Sequence, residues 1–382
     1  MSVFNIKGQK PYIIKEIEKI STPRLLVFHD RVKRNIERMK SYLEYTVPGS
    51  GFSHLCSHVK THKSSLITKM MLDAGISSFK ATLNEVELLV HSNVKEIFIA
   101  YPLLDHDAKH IAELMSQYPE TRFYVQIGSL VHASILREII EDKKMDWHYF
   151  VDIDVGMHRT GILPEKVFEL YSTVSTWPGF RFAGLHAYDG HIHHVSENER
   201  LHEAERAMGN LLSVIHSFET KGVSIPRVIV AGSPTFRIDF EILTNKISEN
   251  TLIQVSPGTW IYWDSEYDKL MPGEFEMAAL ILAQVIEVGE ENRITLNLGH
   301  KRWGADRGPV EIFSEPGLKV AFFNEEHTVL EWEGKKQFEI GDYVLIVPKH
   351  VCSTVNLYEH FVLIDEKGKI EILSSPVDGR NR

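Results

Sequence analysis

The sequence is poor in three features that would each point to a particular class of protein. It holds only two cysteines, too few for a disulfide framework, so both thiols are expected to stay reduced. No apolar run approaches the length of a membrane span, since the longest runs are strand-sized. No run of basic residues is present, and the net charge of -10 argues against a nucleic-acid surface.

The first residues of the chain also lack the apolar core of a signal peptide. Together with the reduced thiols, this favours a cytoplasmic protein with no membrane or nucleic-acid partner. At 382 residues the chain is too long for one small core, so two domains are expected.

Short β-rich runs alternate with helical patterns from Arg24 to Trp260, which predicts parallel strands joined by helical crossovers. The clearest helices are predicted from Asp30 as N-cap, over Ser64 to Ala74 and over Glu197 to Thr220. The strand candidates are Arg24 to His29, Leu55 to Lys60, Ile76 to Ala81, Glu96 to Tyr101, Arg122 to Ile127, Trp147 to Asp154, Phe180 to Tyr188, Arg227 to Ala231 and Leu252 to Val255. A (β/α)8 barrel uses eight strands, so the first of these nine is expected to join another domain.

After Met271-Pro272-Gly273 the pattern changes to strands with few helices between them. The candidates are Met277 to Val288, Arg293 to Leu298, Lys319 to Phe323, Tyr343 to Val347, and a hairpin of Phe361 to Asp365 with Lys369 to Leu373. The predicted fold class is therefore α/β, a TIM-type barrel followed by an all-β domain. The expected division is residues 1–30 packing with the β-domain, 31–270 as the barrel and 271–382 as the β-domain.

The candidate functional residues follow the barrel strands, because active sites of such barrels form at the carboxyl ends of the strands. Lys60 closes the first barrel strand, and its amine is a candidate for Schiff-base formation. Arg159 follows the fifth strand. Tyr188 follows the sixth and opens a histidine-rich loop that includes His193 and His194.

Glycine–hydroxyl turns follow the last two barrel strands. Gly232, Ser233 and Thr235 follow the seventh strand, and Gly258 and Thr259 follow the eighth. Barrels frequently bind phosphate in these turns. A lysine on the first strand and phosphate-type turns on the last two match the two ends of pyridoxal phosphate.

Each of these signals also has an ordinary structural explanation. A lysine at a strand end is more often a solvated charge, a glycine–serine turn is more often only a turn, and Arg159 fits a surface ion pair equally well. Their shared position at one end of one barrel gives the functional interpretation its weight.

A second motif lies far along the chain, where His350 and Cys352 are two residues apart. This spacing predicts that both project from the same face of a strand or its end. Imidazole and thiolate are typical zinc ligands, although such a pair alone is more often structural.

Taken together, these motifs are similar to those of the D-threonine aldolase and D-serine dehydratase group of pyridoxal-phosphate enzymes, over nearly the whole chain. That group has the alanine-racemase-like fold of a barrel plus a β-domain. The segment 58–63 resembles the group's cofactor-lysine motif, which implies that Lys60 forms the Schiff base. The segment 154–161 resembles the one whose arginine, here Arg159, approaches the cofactor's phenolic oxygen.

The remaining motifs extend the same resemblance. The loop from Tyr188 to His191 resembles the one beside the pyridine ring, and the turns at 232–235 and 257–259 resemble the phosphate cradle. The segment 348–358 resembles the metal motif of the β-domain. The His-x-Cys pair resembles the zinc site of the dehydratases. In the aldolases of the group, the resemblance implies an aspartate at the position of Cys352. The downstream segment 353–359 is nearer the aldolases, and zinc is favoured over manganese.

The resemblance implies a metal-dependent lyase of D-3-hydroxy amino acids. Retro-aldol cleavage of a D-threonine-like substrate to glycine and an aldehyde is favoured, with His193 or His194 taking the hydroxyl proton. The alternative is a dehydratase of D-serine or D-3-hydroxyaspartate that gives a 2-oxo acid and ammonia, with Lys60 removing the Cα proton. A homodimer with sites at the interface is also implied.

Two further possibilities stay open. An amino-acid racemase would need a second base, for which Tyr262 and Tyr343 are candidates, and a non-catalytic carrier would only bind pyridoxal phosphate. Asp306 is a candidate pocket residue without an assigned role.

Overall fold

The computed structural model describes residues 1–143, 145–334 and 336–380, with the side chains of 141–143 left aside. These residues form two compact units. The first comprises residues 1–39, 61–67 and 259–380, and the second comprises 40–60 and 68–258. Residues 381 and 382, the last two of the predicted β-domain, lie outside the described residues.

The secondary-structure elements are numbered here in chain order over the described residues. The strands are β1 (Ser2–Phe4), β2 (Tyr12–Ile14), β3 (Arg24–Phe28), β4 (Cys56–His58), β5 (Ser78–Ala81), β6 (Glu96–Ile99), β7 (Arg122–Ile127), β8 (Trp147–Ile153), β9 (Phe180–Ala187), β10 (Arg227–Val230), β11 (Leu252–Val255), β12 (Ala279–Val288), β13 (Arg293–Leu296), β14 (Ile312–Phe313), β15 (Leu318–Phe323), β16 (Thr328–Trp332), β17 (Tyr343–Val347), β18 (His360–Ile364) and β19 (Ile370–Pro376). The helices are α1 (His29–Thr46), α2 (Ser65–Asp73), α3 (Val86–His91), α4 (Asp105–Gln117), α5 (Leu130–Lys143), α6 (Val167–Val174), α7 (Glu197–Thr220), α8 (Phe236–Thr244), α9 (Ser265–Leu270) and α10 (Val351–Val355). Short 3-10 turns lie at Ile17–Lys19, Leu83–Glu85, Pro164–Lys166 and Thr259–Ile261.

The second unit is a parallel barrel. Strands β4 to β11 pair in chain order, and each is parallel to the next. The ends of this sheet meet at Leu55 and Val255, which form a parallel bridge, and the Val255 amide donates to the His54 carbonyl at 2.9 Å. Most residues of these strands are buried, as expected of parallel strands covered on both faces.

The interior of the barrel is a packed core. Side chains from six of the eight strands form one buried cluster: Cys56, Phe98, Tyr124, Phe150, Ala183 and Ile229. Aromatic rings dominate it, and Phe98 and Phe150 lie 4.9 Å apart between ring centroids. Such packing fills the barrel below the carboxyl ends of its strands.

The first unit contains a nine-stranded sheet in the order β15-β16-β13-β12-β3-β18-β19, with β14 and β17 branching from β12. All its pairings are antiparallel except that of β3 with β18. The first of the nine predicted strands, β3, is thus part of this sheet and not of the barrel. The predicted fold class is confirmed.

The sequence missed some short elements. Strands β1, β2, β14 and β16 were not predicted, and the first three have only two or three residues each. Asp30 lies inside the first turn of α1 instead of capping it, because the helix begins at His29. Within the described residues, no helix has the length and apolar character needed to span a membrane.

Gly184 of β9 lies close to the backbone of Arg227 in β10. Its φ is +143°, and a Cβ at this position would lie 1.8 Å from the carbonyl oxygen of Arg227. We expect Gly184→Ala to lower the free energy of unfolding by about 3 kcal/mol, because the backbone of β10 must move to make room. Urea unfolding monitored by circular dichroism measures this change.

Gly209 provides the matched control. It lies within α7, and a Cβ there would meet nothing within 4 Å. Gly209→Ala is expected to be neutral or to stabilise by about 1 kcal/mol, since alanine favours a helix interior. Equal stability of the two variants would contradict the close approach at Gly184.

Candidate active site

A cavity of about 520 Å³ lies at the carboxyl end of the barrel. Three of the predicted site residues line it: Lys60, Arg159 and Tyr188. They come from the segments after β4, β8 and β9, which are separated in sequence but meet because parallel strands end on the same side. The structure therefore brings the predicted amine, guanidinium and aromatic ring into one cavity.

Three basic side chains surround the ring of Tyr188. The Lys60 Nζ lies 5.9 Å from the ring centroid, the Lys80 Nζ 5.3 Å and the Arg159 guanidinium carbon 5.1 Å. Among the described residues that line the cavity, only Asp152 has a carboxylate. The charge balance is positive, so the cavity suits an anionic ligand.

The loop that carries Arg159 is built on the carboxylate of Asp154. This carboxylate accepts hydrogen bonds from the Gly156 and His158 amides, each at 3.0 Å, and contacts the His158 Nδ1 at 2.9 Å. Partial burial would raise the pKa of Asp154, but these hydrogen bonds outweigh it and hold the pKa below its usual range. A charged Asp154 thus fixes the turn from which Arg159 reaches the cavity.

Tyr188 is held by the turns around it. A Cβ on Gly190 would lie 2.1 Å from the Tyr188 ring, so only glycine fits there. The Gly232 amide donates to Asp189 Oδ1 at 3.1 Å, which ties the turn after β10 to the Tyr188 segment. The absence of a side chain at Gly190 therefore makes room for the Tyr188 ring.

The predicted phosphate turns divide between the units. Gly232, Ser233 and Thr235 follow β10 in the barrel unit; Ser233 and Thr235 are buried, and Thr235 is the N-cap residue of α8. Gly258 ends the barrel unit, and Thr259 belongs to the first unit. Backbone N–H groups at a helix start are favourable for an anion, which fits the predicted role of the turn after β10.

The histidines of the loop after β9 occupy different surroundings. The ring of His191 lies against Gly156. His194 is exposed, and its Nδ1 lies 3.9 Å from Glu199 Oε2. Neither His193 nor His194 is among the described residues that line the cavity.

A buried polar group that the sequence analysis did not single out forms part of the cavity wall. The Lys80 Nζ lies 2.8 Å from His186 Nε2 and 3.0 Å from Ser256 Oγ, and His186 Nδ1 lies 2.7 Å from Asp152 Oδ1. Lys80, Asp152 and His186 are ionisable residues within largely apolar barrel strands, and this was the available sequence signal.

Burial controls the charges in this group. It lowers the pKa of Lys80 to about 7, with the nearby Lys60 and Arg159 acting in the same direction and Asp152 opposing. It also lowers the pKa of His186 to about 4, so the imidazole is neutral at physiological pH. The Lys80 amine is therefore close to its midpoint at neutral pH.

In the first unit, His350 and Cys352 lie on a helical turn, which corrects the predicted strand geometry. The Thr354 amide donates to the His350 carbonyl at 3.2 Å, and the Val351 amide donates to Asp264 Oδ2 at 3.0 Å. These bonds start α10 directly after His350. The two side chains therefore come together through a turn and not through strand alternation.

Asp306 is the partner of His350, which gives this residue a position that the sequence did not provide. Its Oδ2 lies 2.5 Å from His350 Nδ1, and its Oδ1 accepts from the Ser353 hydroxyl at 2.7 Å. Burial would lower the pKa of His350, but the hydrogen bonds and charges of Cys352 and Asp306 raise it to about 9. The Cys352 Sγ also lies 3.1 Å from Thr61 Oγ1 and 3.7 Å from Thr259 Oγ1.

The donor chemistry at His350 suits a metal, although the protein groups are few. A ligating histidine usually offers one ring nitrogen to the metal and donates the other N–H to a carboxylate, and Asp306 is placed for the second contact. The described residues contain no group of three or more His, Cys, Asp or Glu side chains arranged to hold a metal. His350 and Cys352 would thus supply two ligands, with the remaining positions open.

An eight-stranded parallel barrel with a lysine-lined cavity, and a largely antiparallel sheet in the other unit, define the alanine-racemase-like class of fold. The chain belongs to the family of the alanine racemase N-terminal domain, whose family model matches residues 27–266. A second family model, described as "Putative serine dehydratase domain", matches residues 278–364.

The chain is similar to named lyases along nearly its whole length. A 3-hydroxy-D-aspartate aldolase of Paracoccus denitrificans (strain Pd 1222) is 24% identical over 380 residues, which cover 95% of this chain and 93% of the relative. A D-threonine aldolase of Arthrobacter sp is 24% identical over 355 residues, covering 91% and 90%. The crystal structure of a D-threonine aldolase from Filomicrobium marinum has a TM-score of 0.86 at 24% identity, covering 97% and 98%, and shows the same fold. The predicted resemblance to this group of lyases is confirmed.

Proposed function

We propose that this chain is a pyridoxal-phosphate- and metal-dependent lyase of D-3-hydroxy amino acids, with retro-aldol cleavage of D-threonine-like substrates as its reaction. The observation that carries the proposal is the meeting of Lys60, Arg159 and Tyr188 in one positively charged cavity at the carboxyl end of the barrel. The similarity to named aldolases supports the choice of reaction.

In this proposal the barrel unit holds the cofactor through its own side chains. Lys60 would hold the cofactor covalently through its amine, Arg159 would serve the phenolic oxygen, and Tyr188 would serve the ring. Gly232, Ser233, Thr235, Gly258 and Thr259 form the phosphate cradle. Pyridoxal phosphate, when bound, supplies an electron sink for the bond that is broken at Cα.

The metal has its proposed place at His350 and Cys352. Asp306 orients His350 by accepting its Nδ1–H, so that Nε2 is the nitrogen available for coordination. Thiolate and imidazole together favour zinc over manganese. A divalent metal at this position supplies Lewis acidity toward the β-hydroxyl of a substrate.

Dehydration is the second candidate reaction, and Cys352 is the observation that favours it. A His-x-Cys pair is similar to the dehydratase metal motif, and residues 278–364 match the serine dehydratase domain family. In dehydration Lys60 takes the Cα proton. In retro-aldol cleavage a base, proposed as His193 or His194, takes the hydroxyl proton.

A racemase is disfavoured by the position of one candidate base. Tyr262 is fully buried, and burial raises its pKa far above the usual tyrosine range.

We further propose a cytoplasmic homodimer with sites at the interface. Neither cysteine is in a disulfide, which agrees with a reducing compartment.

Lys60→Ala is expected to abolish the visible absorption of the bound cofactor, because no other residue is assigned to form the Schiff base. Spectra of the purified protein incubated with pyridoxal phosphate measure this. Lys69→Ala, an exposed position on α2, should keep the spectrum of the parent protein. An unchanged spectrum in Lys60→Ala would refute the lysine assignment.

The two candidate reactions are separated by their products. Incubation with D-threonine is expected to give acetaldehyde and glycine, because cleavage breaks the Cα–Cβ bond. Incubation with D-serine, assayed for pyruvate and ammonia, tests the dehydratase alternative. Pyruvate from D-serine with no acetaldehyde from D-threonine would overturn the aldolase proposal and establish the alternative.

Cys352→Ala is expected to remove bound zinc and turnover while the cofactor absorption remains, because the thiolate is one of only two proposed protein ligands. Elemental analysis and spectroscopy measure the two properties separately. Asp306→Asn should weaken zinc binding by about 10–100-fold, as expected for loss of a carboxylate that orients a ligating histidine. Full activity in metal-free protein would make His350 and Cys352 structural residues.

A further inference from the structure

The cavity holds a second lysine amine for which the proposed function provides no role. Lys80 stands on β5 between Phe79 and Ala81 and is only 3% exposed. It lines the same cavity as Lys60 and Arg159. Burying a lysine amine costs free energy unless the amine is hydrogen-bonded or paired. The contacts of the Lys80 Nζ therefore bear on its role.

The first contact of Nζ is with an imidazole whose protonation follows from its neighbours. The Asp152 carboxylate can only accept, so His186 Nδ1, 2.7 Å away, carries the hydrogen. Since this imidazole is neutral, its Nε2 has a lone pair and no hydrogen. Lys80 Nζ, 2.8 Å from Nε2, is therefore the donor in this hydrogen bond.

The second contact leads to the same conclusion. The Ser256 hydroxyl has one hydrogen, which it donates to the carbonyl oxygen of Val230 at 3.1 Å or of Ala231 at 3.2 Å. Its oxygen therefore accepts from Lys80 Nζ at 3.0 Å. Two N–H bonds of Nζ are thus committed within the wall of the cavity.

Nζ has one further tetrahedral position, and Lys80 lines the cavity. A neutral amine presents a lone pair there, whereas an ammonium presents a third N–H. The titratable and charged groups around this nitrogen are Cys56, Lys60, Asp152, Arg159, His186 and Tyr188. Burial dominates their combined effect and brings the pKa of Lys80 to about 7, so the lone pair is available at neutral pH.

We propose that Lys80 is a second catalytic base of this cavity, which accepts a proton from the bound substrate. In this step the O–H bond of the substrate's β-hydroxyl breaks, the proton bonds to the Nζ lone pair, and the electron pair stays on the substrate oxygen. His186 and Asp152 act as positioning residues. Dehydration has Lys60 for the Cα proton, so Lys80 is the alternative to His193 and His194 for the hydroxyl proton in retro-aldol cleavage. Lys80 lines the cavity, whereas His193 and His194 are not among its described lining residues.

This inference rests on the proposed function, because that function supplies the substrate. Its first test needs no cofactor. In protein labelled with ¹³C at lysine Cε, the NMR signal that disappears in Lys80→Met is expected to titrate near pH 7, about three units below the ordinary lysine value near 10.4. Titration of that signal in the ordinary lysine range would overturn the proposal.

Asp152→Asn provides a second variant for the same measurement. The Asp152 charge favours the ammonium form, so its removal is expected to lower the midpoint of the Lys80 signal further. A midpoint that stays in place would show that the polar group around His186 does not control Lys80, and would overturn the roles assigned to His186 and Asp152.

The loaded enzyme provides the test of catalysis. With D-threonine, kcat of the parent protein is expected to rise with pH through about 7, as the Lys80 amine loses its proton. Lys80→Met should lower kcat by about 10²-fold or more, with a smaller change in KM, and should lose this rise. Lys69→Met, at an exposed position, should keep both.

The outcomes separate this inference from the proposed function. If the parent enzyme turns over D-threonine and Lys80→Met keeps the same pH dependence, the inference alone is overturned. If the cavity takes up no pyridoxal phosphate, the proposed function is overturned, and the role of Lys80 as a base for that substrate is overturned as well. His186→Gln retains a polar group of similar size and should shift the pH dependence of kcat. This variant still tests the proposal if the Lys80 variant fails to fold.

Discussion

The closure of the barrel at Leu55 and Val255 is the constraint on which the candidate active site depends. Once the last strand pairs beside the first, the carboxyl ends of eight parallel strands surround one space. Lys60 and Ser256, which follow the first and last strands, then come to the same end of the barrel. No single segment of the chain contains the site, so its integrity is a property of the closed sheet.

Most of the fold could be predicted because its signals are local. Buried parallel strands are continuous apolar runs, and the crossover helices carry their own apolar spacing and end signals, as α7 shows over Glu197–Thr220. The two-residue strand β14 has no such signal and depends on its partner β17. The geometry at His350 also depends on a distant residue, since Asp264 accepts from the Val351 amide and starts the helical turn.

The site could be predicted in part for the same reason. Lys60, Arg159 and Tyr188 lie in the loops after barrel strands, where the sequence predicts active-site residues. Lys80 and His186 stand inside apolar strands, and their pairing across β5 and β9 follows from side-chain directions that only the structure provides. Cys352 shows the opposite limit: its chemistry is clear from the sequence, but the bond that the enzyme breaks does not follow from its identity.

The two thiols of the chain differ in burial. Of its two cysteines, Cys56 is fully buried in the barrel core, where burial raises the pKa of its thiol, and Cys352 is only partly buried. Thiolate character and access decide which thiol oxidises or reacts. The folded protein therefore presents one accessible thiol, and oxidation or alkylation of that thiol falls directly on the proposed metal ligand.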